Sequence, residues 1–234
     1  YQLAEALHEE IRQITDQPVR YVILENGQGH AALGSNYWKE QGVPVIAHAD
    51  AAAEIEEGAH ALLTSMQRYN RDKAEGTEVV LPDITFEEEY VIELRGMRIE
   101  ALYLGPGHSP GDIQVWLPQQ KLVISGDMAF HQRMLPIFDN TDTRAWLETY
   151  DRFLALEPEV VIPGHGVPTD MDEVTKYTRD YLIFLRAEVQ RLLDEGGTLA
   201  DAYEIDQSAY SDLDTYDELA ARNAGMVFEA MEFE

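Results

Sequence analysis

The spacing of apolar residues predicts a chain that opens with an amphipathic helix and then meets a buried strand. Apolar residues recur at intervals of four and three between Gln2 and Thr15, as on one face of a helix. They are Leu3, Leu7, Ile11 and Ile14. The next apolar run, Tyr21 to Leu24, ends in a polar loop punctuated by glycine. A strand followed by such a loop commonly holds functional side chains in α/β enzymes.

The middle of the chain changes from helical spacing to short apolar runs. Gly34 to Gln41 is predicted to be a short helix, Val43 to Ala47 a buried strand, and Ala51 to Asp72 a long helix capped by Asp50. Beyond Glu78 the runs are separated by proline, glycine or charged turns, which indicates antiparallel sheet. The predicted strands are Val79–Leu81, Tyr90–Leu94, Ile99–Leu104, Ile113–Leu117 and Leu122–Ile124.

Helical spacing returns in the last third of the chain. Arg144 to Leu156 is predicted to be a helix, Val160 to Ile162 the last buried strand, and Asp170 to Asp194 a helix with one apolar face. Residues 199–234 are acidic and also predicted to be helical. We therefore expect one domain over residues 1–169 and a C-terminal helical extension, residues 170–234, that packs on it.

Candidate chemistry lies in three glycine-rich segments, each directly after an apolar run. These segments are GPGHSPGD with His108, ISGDMAF with Asp127, and VIPGHGVP with His165. Imidazole and carboxylate groups at strand ends are typical metal ligands. The chain has no cysteine, so a metal would have to be held by histidine, carboxylate or amide groups. His165 is the strongest candidate, because the turn-forming residues around it favour a backbone shaped to present its side chain.

Purely structural roles compete with this interpretation. His108 could be a turn residue with Asp112 capping the turn, and Asp127 could cap the segment that follows Gly126. His131 is expected at the surface more than in contact with a substrate. The isolated residues His48 and His60 are expected to be structural or exposed.

Together with the stretch YVILENGQGHAALGSN, residues 21–36, the three segments resemble the motifs of the metallo-β-lactamase fold hydrolases. In that family the first strand ends in Thr-His-x-His-x-Asp-His. A gapless alignment places Glu25 on the Thr, Asn26 and Gln28 on the first two His, His30 on the Asp, and Ala31 on the last His. A slip of one residue would instead place His30 on the last His. The resemblance covers residues 1–167.

The resemblance implies an αββα metallo-β-lactamase-type sandwich that is short at its N-terminus and carries the C-terminal helical extension. The family normally begins with several strands before the first helix, and these are not in this sequence. The sequence opens on Tyr1 and not on Met, so we expect a trimmed or processed product. An apolar sheet edge left without those strands would need a cover, which favours a homo-oligomer.

The resemblance also implies a reduced metal site. Of the family's three-histidine zinc site only His108 remains beside Asn26 and Gln28, and amides are weak zinc ligands. The other site keeps His30, Asp127 and His165, which suits one zinc ion or, as an alternative, iron. His108 would be a fourth ligand or a general acid. Glu25 would orient His30 or act as a general base.

Three functions remain open on this sequence. The first is a metal-dependent hydrolase that uses a single metal on a small-molecule ester, lactam, lactone or thioester. The second is a catalytically inactive member that binds no metal and acts as a binding or assembly subunit. The third is a metal-independent enzyme, for which the sequence offers no pair of nucleophile and base. The loops around the cleft carry no recognisable specificity signature.

The charge of the chain excludes two classes of partner. A formal net charge of −27, from 44 acidic and 17 basic residues, would repel nucleic acid and anionic membrane surfaces. Only four of the basic residues are lysine, which is typical of adaptation to high salt or of an ordinary acidic protein. No apolar run is long enough to span a bilayer and no signal peptide is evident, so we expect a soluble protein of the cytoplasm or periplasm.

Overall fold

The computed structural model describes all 234 residues, Tyr1 to Glu234. The chain forms two compact units, Tyr1–Glu89 and Tyr90–Glu234, which are described separately below. The predicted boundary between residues 169 and 170 separates the C-terminal extension from the rest of the chain, which is a different division from this one, and it stays a prediction. None of the helices combines the length and the apolar character that crossing a membrane requires.

The first unit contains a small parallel sheet and four helices. Its elements are α1 (Gln2–Ile14), β1 (Val22–Ile23), α2 (Gly29–Ala32), α3 (Ser35–Glu40), β2 (Val45–His48), α4 (Ala49–Asn70) and β3 (Ile84–Phe86), with a 3₁₀ turn at Arg71–Ala74. The strands pair in parallel in the order β1-β2-β3. Every residue of the central strand β2 is buried, as expected of a parallel strand covered on both faces.

Two expectations for the first unit are wrong. Residues Val79–Leu81 do not form a strand. Pro82 follows them directly and has no N–H for a ladder, and pairing begins only at Asp83, whose N–H donates to the Val45 carbonyl at 2.8 Å. Asp50 is not the cap of α4. His48 holds that position, and its Nδ1 accepts a hydrogen bond from the Asp50 N–H at 3.2 Å.

The second unit contains a five-stranded sheet and five helices. Its elements are β4 (Glu89–Leu94), β5 (Met97–Leu102), β6 (Gln114–Leu117), β7 (Leu122–Phe130), α5 (Thr143–Leu154), β8 (Val160–His165), α6 (Met171–Tyr177), α7 (Arg179–Asp194), α8 (Leu199–Ala202) and α9 (Tyr216–Met231). The strand order follows the sequence. β5, β6 and β7 pair antiparallel, as predicted, and β7 pairs with β8 in parallel.

One large core joins β7 to α5, α7 and α9. Its largest fully buried side chains include Trp146 and Phe153 of α5, Tyr181 of α7 and Phe130 of β7. The predicted apolar face of residues 170–194 is therefore confirmed, and the C-terminal helical extension is present. The helix is broken at Thr178, however. The Thr178 hydroxyl donates a hydrogen bond to the Phe130 carbonyl at 3.0 Å and accepts one from the Phe130 N–H at 2.8 Å. These two bonds connect the break in the helix to β7.

Candidate active site

Asp127 lies in the one irregular part of the pairing between β7 and β8. The register between the two strands shifts between Ile124 and Gly126, and again between Gly126 and Phe130. Such irregularities re-aim side chains that a regular ladder would fix. The Asp127 side chain is only 3% exposed, so its carboxylate is held in a largely desolvated position. It lies within a strand, and the interpretation of Asp127 as a cap is wrong.

His165 is the last residue of β8 and is fixed by neighbours from β7 and the loop that follows. It is the register partner of Phe130, and the two rings stack with their centroids 5.1 Å apart. The N–H of His131 donates to the His165 carbonyl at 3.1 Å. About a third of the His165 side chain remains exposed. The residue therefore combines a fixed ring with access from outside.

The second unit brings together the three residues of the glycine-rich segments. Asp127 Oδ2 lies 3.7 Å from His108 Nδ1, and Asp127 Oδ1 lies 3.8 Å from His165 Nε2. Both distances exceed the range of a hydrogen bond. One carboxylate thus stands between two imidazoles and turns one oxygen toward each.

His108 is enclosed by aromatic side chains. Its ring lies 5.1 Å from Phe138 and 5.8 Å from Trp146, measured between centroids, and both contacts are edge to face. The predicted turn is confirmed, because Asp112 accepts hydrogen bonds from the N–H and the hydroxyl of Ser109. Asp112 therefore shapes the loop while His108 is directed into the interior of the unit.

His131 is neither a surface residue nor exposed to a ligand. It is 2% exposed, and its Nε2 donates to the Val167 carbonyl at 2.7 Å. The expectation of a surface position is wrong. Because the His131 backbone and ring both bind the segment around His165, its role is to hold that segment in place.

The first unit places Glu25 and His30 together in the loop after β1. Glu25 Oε1 lies 3.2 Å from His30 Nε2. Asn26 is fully buried and its side-chain oxygen accepts from the N–H of Gln28 at 3.0 Å, so it shapes the loop as an Asx turn. The side chain of Ala31 has no polar atom, and the residue lies within α2.

Glu54 of α4 is a further acidic group at this loop. Burial raises the pKa of the Glu54 carboxyl, while a hydrogen bond from the Gly27 N–H and the proximity of His30 oppose that rise. A side chain on Gly27 would collide with Glu54 and with the Ala51 carbonyl, so only glycine allows this approach. Two carboxylates, Glu25 of the loop and Glu54 of α4, therefore lie near the imidazole of His30.

Comparison with known proteins decides the family. The model of the metallo-beta-lactamase superfamily matches residues 30–165, which is more than half of the chain. The chain belongs to the metallo-beta-lactamase superfamily. A metallo-beta-lactamase type 2 from Bacteroides fragilis is 32% identical over 99 residues, 41% of this chain and 40% of that protein. A linear primary-alkylsulfatase from Pseudomonas sp. (strain ATCC 19151) is 23% identical over 128 residues, 51% of this chain and 24% of that protein.

The chain thus spans well under half the length of these two curated relatives. Solved structures show the same fold over larger parts of it. The sec-alkylsulfatase Pisa1 from Pseudomonas sp. has a TM-score of 0.75 and 19% identity, and the match covers 97% of this chain and 43% of that one. A metallo-beta-lactamase from Pontibacter korlensis has a TM-score of 0.60 and 22% identity over 76% of this chain and 75% of that one. The predicted metallo-β-lactamase fold class is confirmed.

The donor atoms in the second unit fit the metal that metallo-beta-lactamase superfamily members hold. Ligand atoms of a tetrahedral zinc lie about 2.1 Å from the ion and so roughly 3.4 Å from each other. The separations of 3.7 and 3.8 Å around Asp127 are close to that spacing. Two imidazoles and a carboxylate are also the right donor types for zinc or ferrous iron.

Two residues near the candidate site, Glu54 and Arg133, lie outside the family motifs, and the sequence analysis did not identify them. Glu54 reaches the first loop from a long helix, where nothing in its local sequence separates it from the other acidic residues of α4. Arg133 places NH1 2.9 Å from Nε2 of His165. It follows Phe130, the register partner of His165, by three residues, and this pairing is not visible in the local sequence.

Proposed function

We propose that this chain is a metal-dependent hydrolase that uses a single metal ion to cleave a small-molecule ester, lactam, lactone or thioester. The observation that supports this most is the carboxylate of Asp127 standing between His108 and His165 at 3.7 and 3.8 Å. Membership of the superfamily supplies the reaction type. A zinc or ferrous ion held by Asp127 and His165, with His30 as the ligand assigned by the family motif, would supply a Lewis acid that activates water.

The residues of the chain have separate roles in this proposal. Asp127 is desolvated and turns one carboxylate oxygen toward each imidazole, so it would hold a metal ion between them. His108 is a fourth ligand or the acid that protonates the leaving group, and its aromatic surroundings exclude bulk water. Glu25 contacts His30 at 3.2 Å and fixes the orientation of that ring, or takes a proton as general base.

A second candidate is a catalytically inactive member that acts as a binding or assembly subunit. The loop of the first unit favours this second candidate, because the side-chain oxygen of Asn26 accepts a hydrogen bond from the N–H of Gln28 within the loop. Amides at positions 26 and 28 are poor zinc ligands in any case. This candidate predicts a stable fold without bound metal and without turnover.

The test is the metal content of the full chain, purified without chelator or affinity-tag metal and measured by elemental mass spectrometry. We expect about one zinc or iron per chain in the wild type and its loss in His165→Ala, since a metal with few protein ligands rarely survives the loss of one. His60→Ala is the control, because His60 is exposed on α4 and should leave metal content unchanged.

The same samples are then screened against neutral esters, lactams, lactones, thioesters and, in view of the alkylsulfatase relatives, sulfate esters. Hydrolysis that disappears in His165→Ala and persists in His60→Ala supports the proposal. Unchanged turnover in His165→Ala would exclude the metal mechanism. No metal in the wild type, even after incubation with excess zinc, would favour the binding subunit.

A further inference from the structure

The asparagine in the loop after β1 differs from the other asparagines of the chain in the residue that follows it. The chain has five asparagines, and only Asn26 precedes a glycine. The other four precede tyrosine, arginine, threonine or alanine. A backbone nitrogen can attack the side-chain amide of the asparagine before it, and the attack is least hindered at glycine, which has no Cβ and the widest backbone freedom. The step from Asn26 to Gly27 is therefore where such a reaction is most favoured in this chain.

The Asx turn at Asn26 prepares the side-chain amide for this attack. The Asn26 side-chain oxygen accepts a hydrogen bond from the N–H of Gln28 at 3.0 Å. This bond closes a ring of atoms that includes Cγ of Asn26 and the nitrogen of Gly27, so one turn holds both reacting atoms. A donor to the amide oxygen also draws electrons from Cγ and makes it a better electrophile, as donors to a carbonyl oxygen do in acyl transfer. Asn26 is fully buried, so the turn is a fixed part of the loop.

Glu54 of α4 provides a proton acceptor at the nitrogen of Gly27. The Gly27 N–H donates a hydrogen bond to the Glu54 carboxylate. The approach is close, because Glu54 Oε2 would lie only 2.7 Å from a Cβ placed on Gly27. Oε2 is buried and accepts no hydrogen bond within the protein, so the carboxylate keeps an oxygen that can receive a proton. A base in hydrogen-bond contact with the proton that it removes meets the geometric requirement of general base catalysis.

We propose that Asn26 is a self-modification site, at which the nitrogen of Gly27 displaces the side-chain amide nitrogen with Glu54 as the base. A bond forms from the Gly27 nitrogen to Asn26 Cγ, and the proton of the Gly27 N–H passes to Glu54. The bond between Cγ and Nδ2 breaks, and Nδ2 leaves as ammonia with the proton that Glu54 returns. Water then opens the succinimide ring and gives aspartate or isoaspartate at position 26. No metal or substrate takes part, so the modification does not rest on the proposed function.

The product is a carboxylate where the sequence encodes a neutral amide. In the aspartate form the side chain still accepts from the N–H of Gln28, now through a charge-assisted hydrogen bond, so the Asx turn is kept. The gapless alignment gives position 26 to the first histidine of the family motif. A carboxylate is an ordinary zinc ligand, whereas an amide is a poor one. The modification would therefore add a donor group to this loop that the gene does not encode.

The test follows the peptide that contains Asn26 in the full chain, kept folded in buffer and sampled over weeks. The reaction exchanges an amino group for a hydroxyl, which peptide mass spectrometry resolves, and an isoaspartate methyltransferase labels the isoaspartate form. The wild type, Glu54→Gln and Glu57→Gln are compared. Glu57 is exposed on the same helix, so its variant removes the same charge from a position open to solvent. The same three proteins unfolded in guanidinium chloride give the rate without the fold.

We expect the folded wild type to lose the Asn26 amide faster than the unfolded wild type. Folded Glu54→Gln should react at least about tenfold more slowly than the folded wild type, since general base catalysis commonly contributes that much or more. Folded Glu57→Gln should match the wild type, and the three unfolded proteins should react alike. Asn140, which is exposed and precedes threonine, should stay intact throughout.

Two results would overturn the inference: an Asn26 amide that survives longer in the folded chain than in the unfolded chain, or equal rates in folded wild type and folded Glu54→Gln. Urea unfolding shows whether Glu54→Gln remains folded. If it does not, the comparison of folded with unfolded wild type decides alone. Metal content of the same samples separates this result from the proposed function. Conversion in a protein that binds no metal would leave the inference standing and the hydrolase proposal refuted, and metal-dependent hydrolysis with an intact amide would do the reverse.

Discussion

At the scale of single residues, the site depends on two positions that lack a side chain. A Cβ on Gly164 would collide with the carboxylate of Asp127 and the backbone of Gly126. A Cβ on Gly166 would collide with His131, and Gly166 has a φ of 108° that other residues rarely adopt. His165 can therefore end β8 beside Asp127 only because both of its neighbours are glycine.

Gly166→Ala should lower the free energy of unfolding by about 2 to 4 kcal/mol, because it combines backbone strain with a clash against the buried His131 ring. It should also weaken metal binding. Urea unfolding and a zinc titration measure the two effects. Gly96→Ala is the matched control, since Gly96 has a φ of 82° but open space around its Cβ position, so strain alone should cost about 1 kcal/mol. Equal losses in the two variants would contradict the clash with His131.

The sequence predicted the grouping of candidate residues better than their surroundings. Because each follows an apolar run that ends at a glycine, the sequence singles out His108, Asp127 and His165, and the structure brings their side chains together although Asp127 lies within β7. Their role as metal ligands, like that of His30 and Glu25, stays a prediction. Arg133 and Glu54 act through contacts with residues distant in sequence, and no local periodicity encodes such contacts.

At the scale of elements, the C-terminal extension is tied to the site by one buried amide. Asn223 of α9 donates to the Leu135 carbonyl at 2.7 Å and to the Tyr181 hydroxyl at 3.0 Å, and accepts from the Ile137 N–H at 2.9 Å. Leu135 and Ile137 belong to the segment that leads from Arg133 toward Phe138, which encloses His108. The helix thus stabilises the walls of the site.

Asn223→Ala should reduce the free energy of unfolding by about 2 to 4 kcal/mol, because it leaves a buried carbonyl and a buried N–H without partners. Denaturant unfolding followed by tryptophan fluorescence measures the loss. Glu229→Ala on the exposed face of the same helix should change stability by less than about 0.5 kcal/mol. A loss below about 1 kcal/mol in Asn223→Ala would show that water or a local shift satisfies these groups.

Helices and strands are predictable where buried side chains recur at a regular spacing along the chain. They are not predictable where a hydrogen bond to a distant residue determines the end of an element. The apolar face of α1 and that of α7 were both visible in the sequence. The break at Thr178 was not, because its cause is the backbone of Phe130, 48 positions earlier in the chain. The extension of β7 through Phe130 was missed for a similar reason, since it depends on pairing with β8.

At the scale of the whole molecule, the net charge of −27 should make stability depend on salt. Raising NaCl from about 0.1 M to about 1 M shortens the screening length from roughly 10 Å to roughly 3 Å and should relieve repulsion between carboxylates. We expect the urea midpoint to rise across this range. Near pH 4, where about half of ordinary carboxylates are neutral, the rise should be much smaller. A midpoint that does not change with salt would argue against adaptation to high salt, which stays a prediction.

The Asp214 N–H donates to the Gln132 carbonyl at 2.9 Å and the Met134 N–H donates to the Asp214 carbonyl at 3.0 Å, and this pairing beside Arg133 has a consequence for how the second unit responds to heating. Segments held by few hydrogen bonds open locally well below the temperature at which a core unfolds. Asp212 and Asp214 are exposed and the segment is short, whereas His108 lies within the aromatic core. Loss of the two hydrogen bonds of Asp214 would free the segment that carries Arg133 while the sheet stayed intact. The second unit would then have two thermal transitions, a lower one at which Arg133 leaves the ring of His165 and a higher one at which the core unfolds.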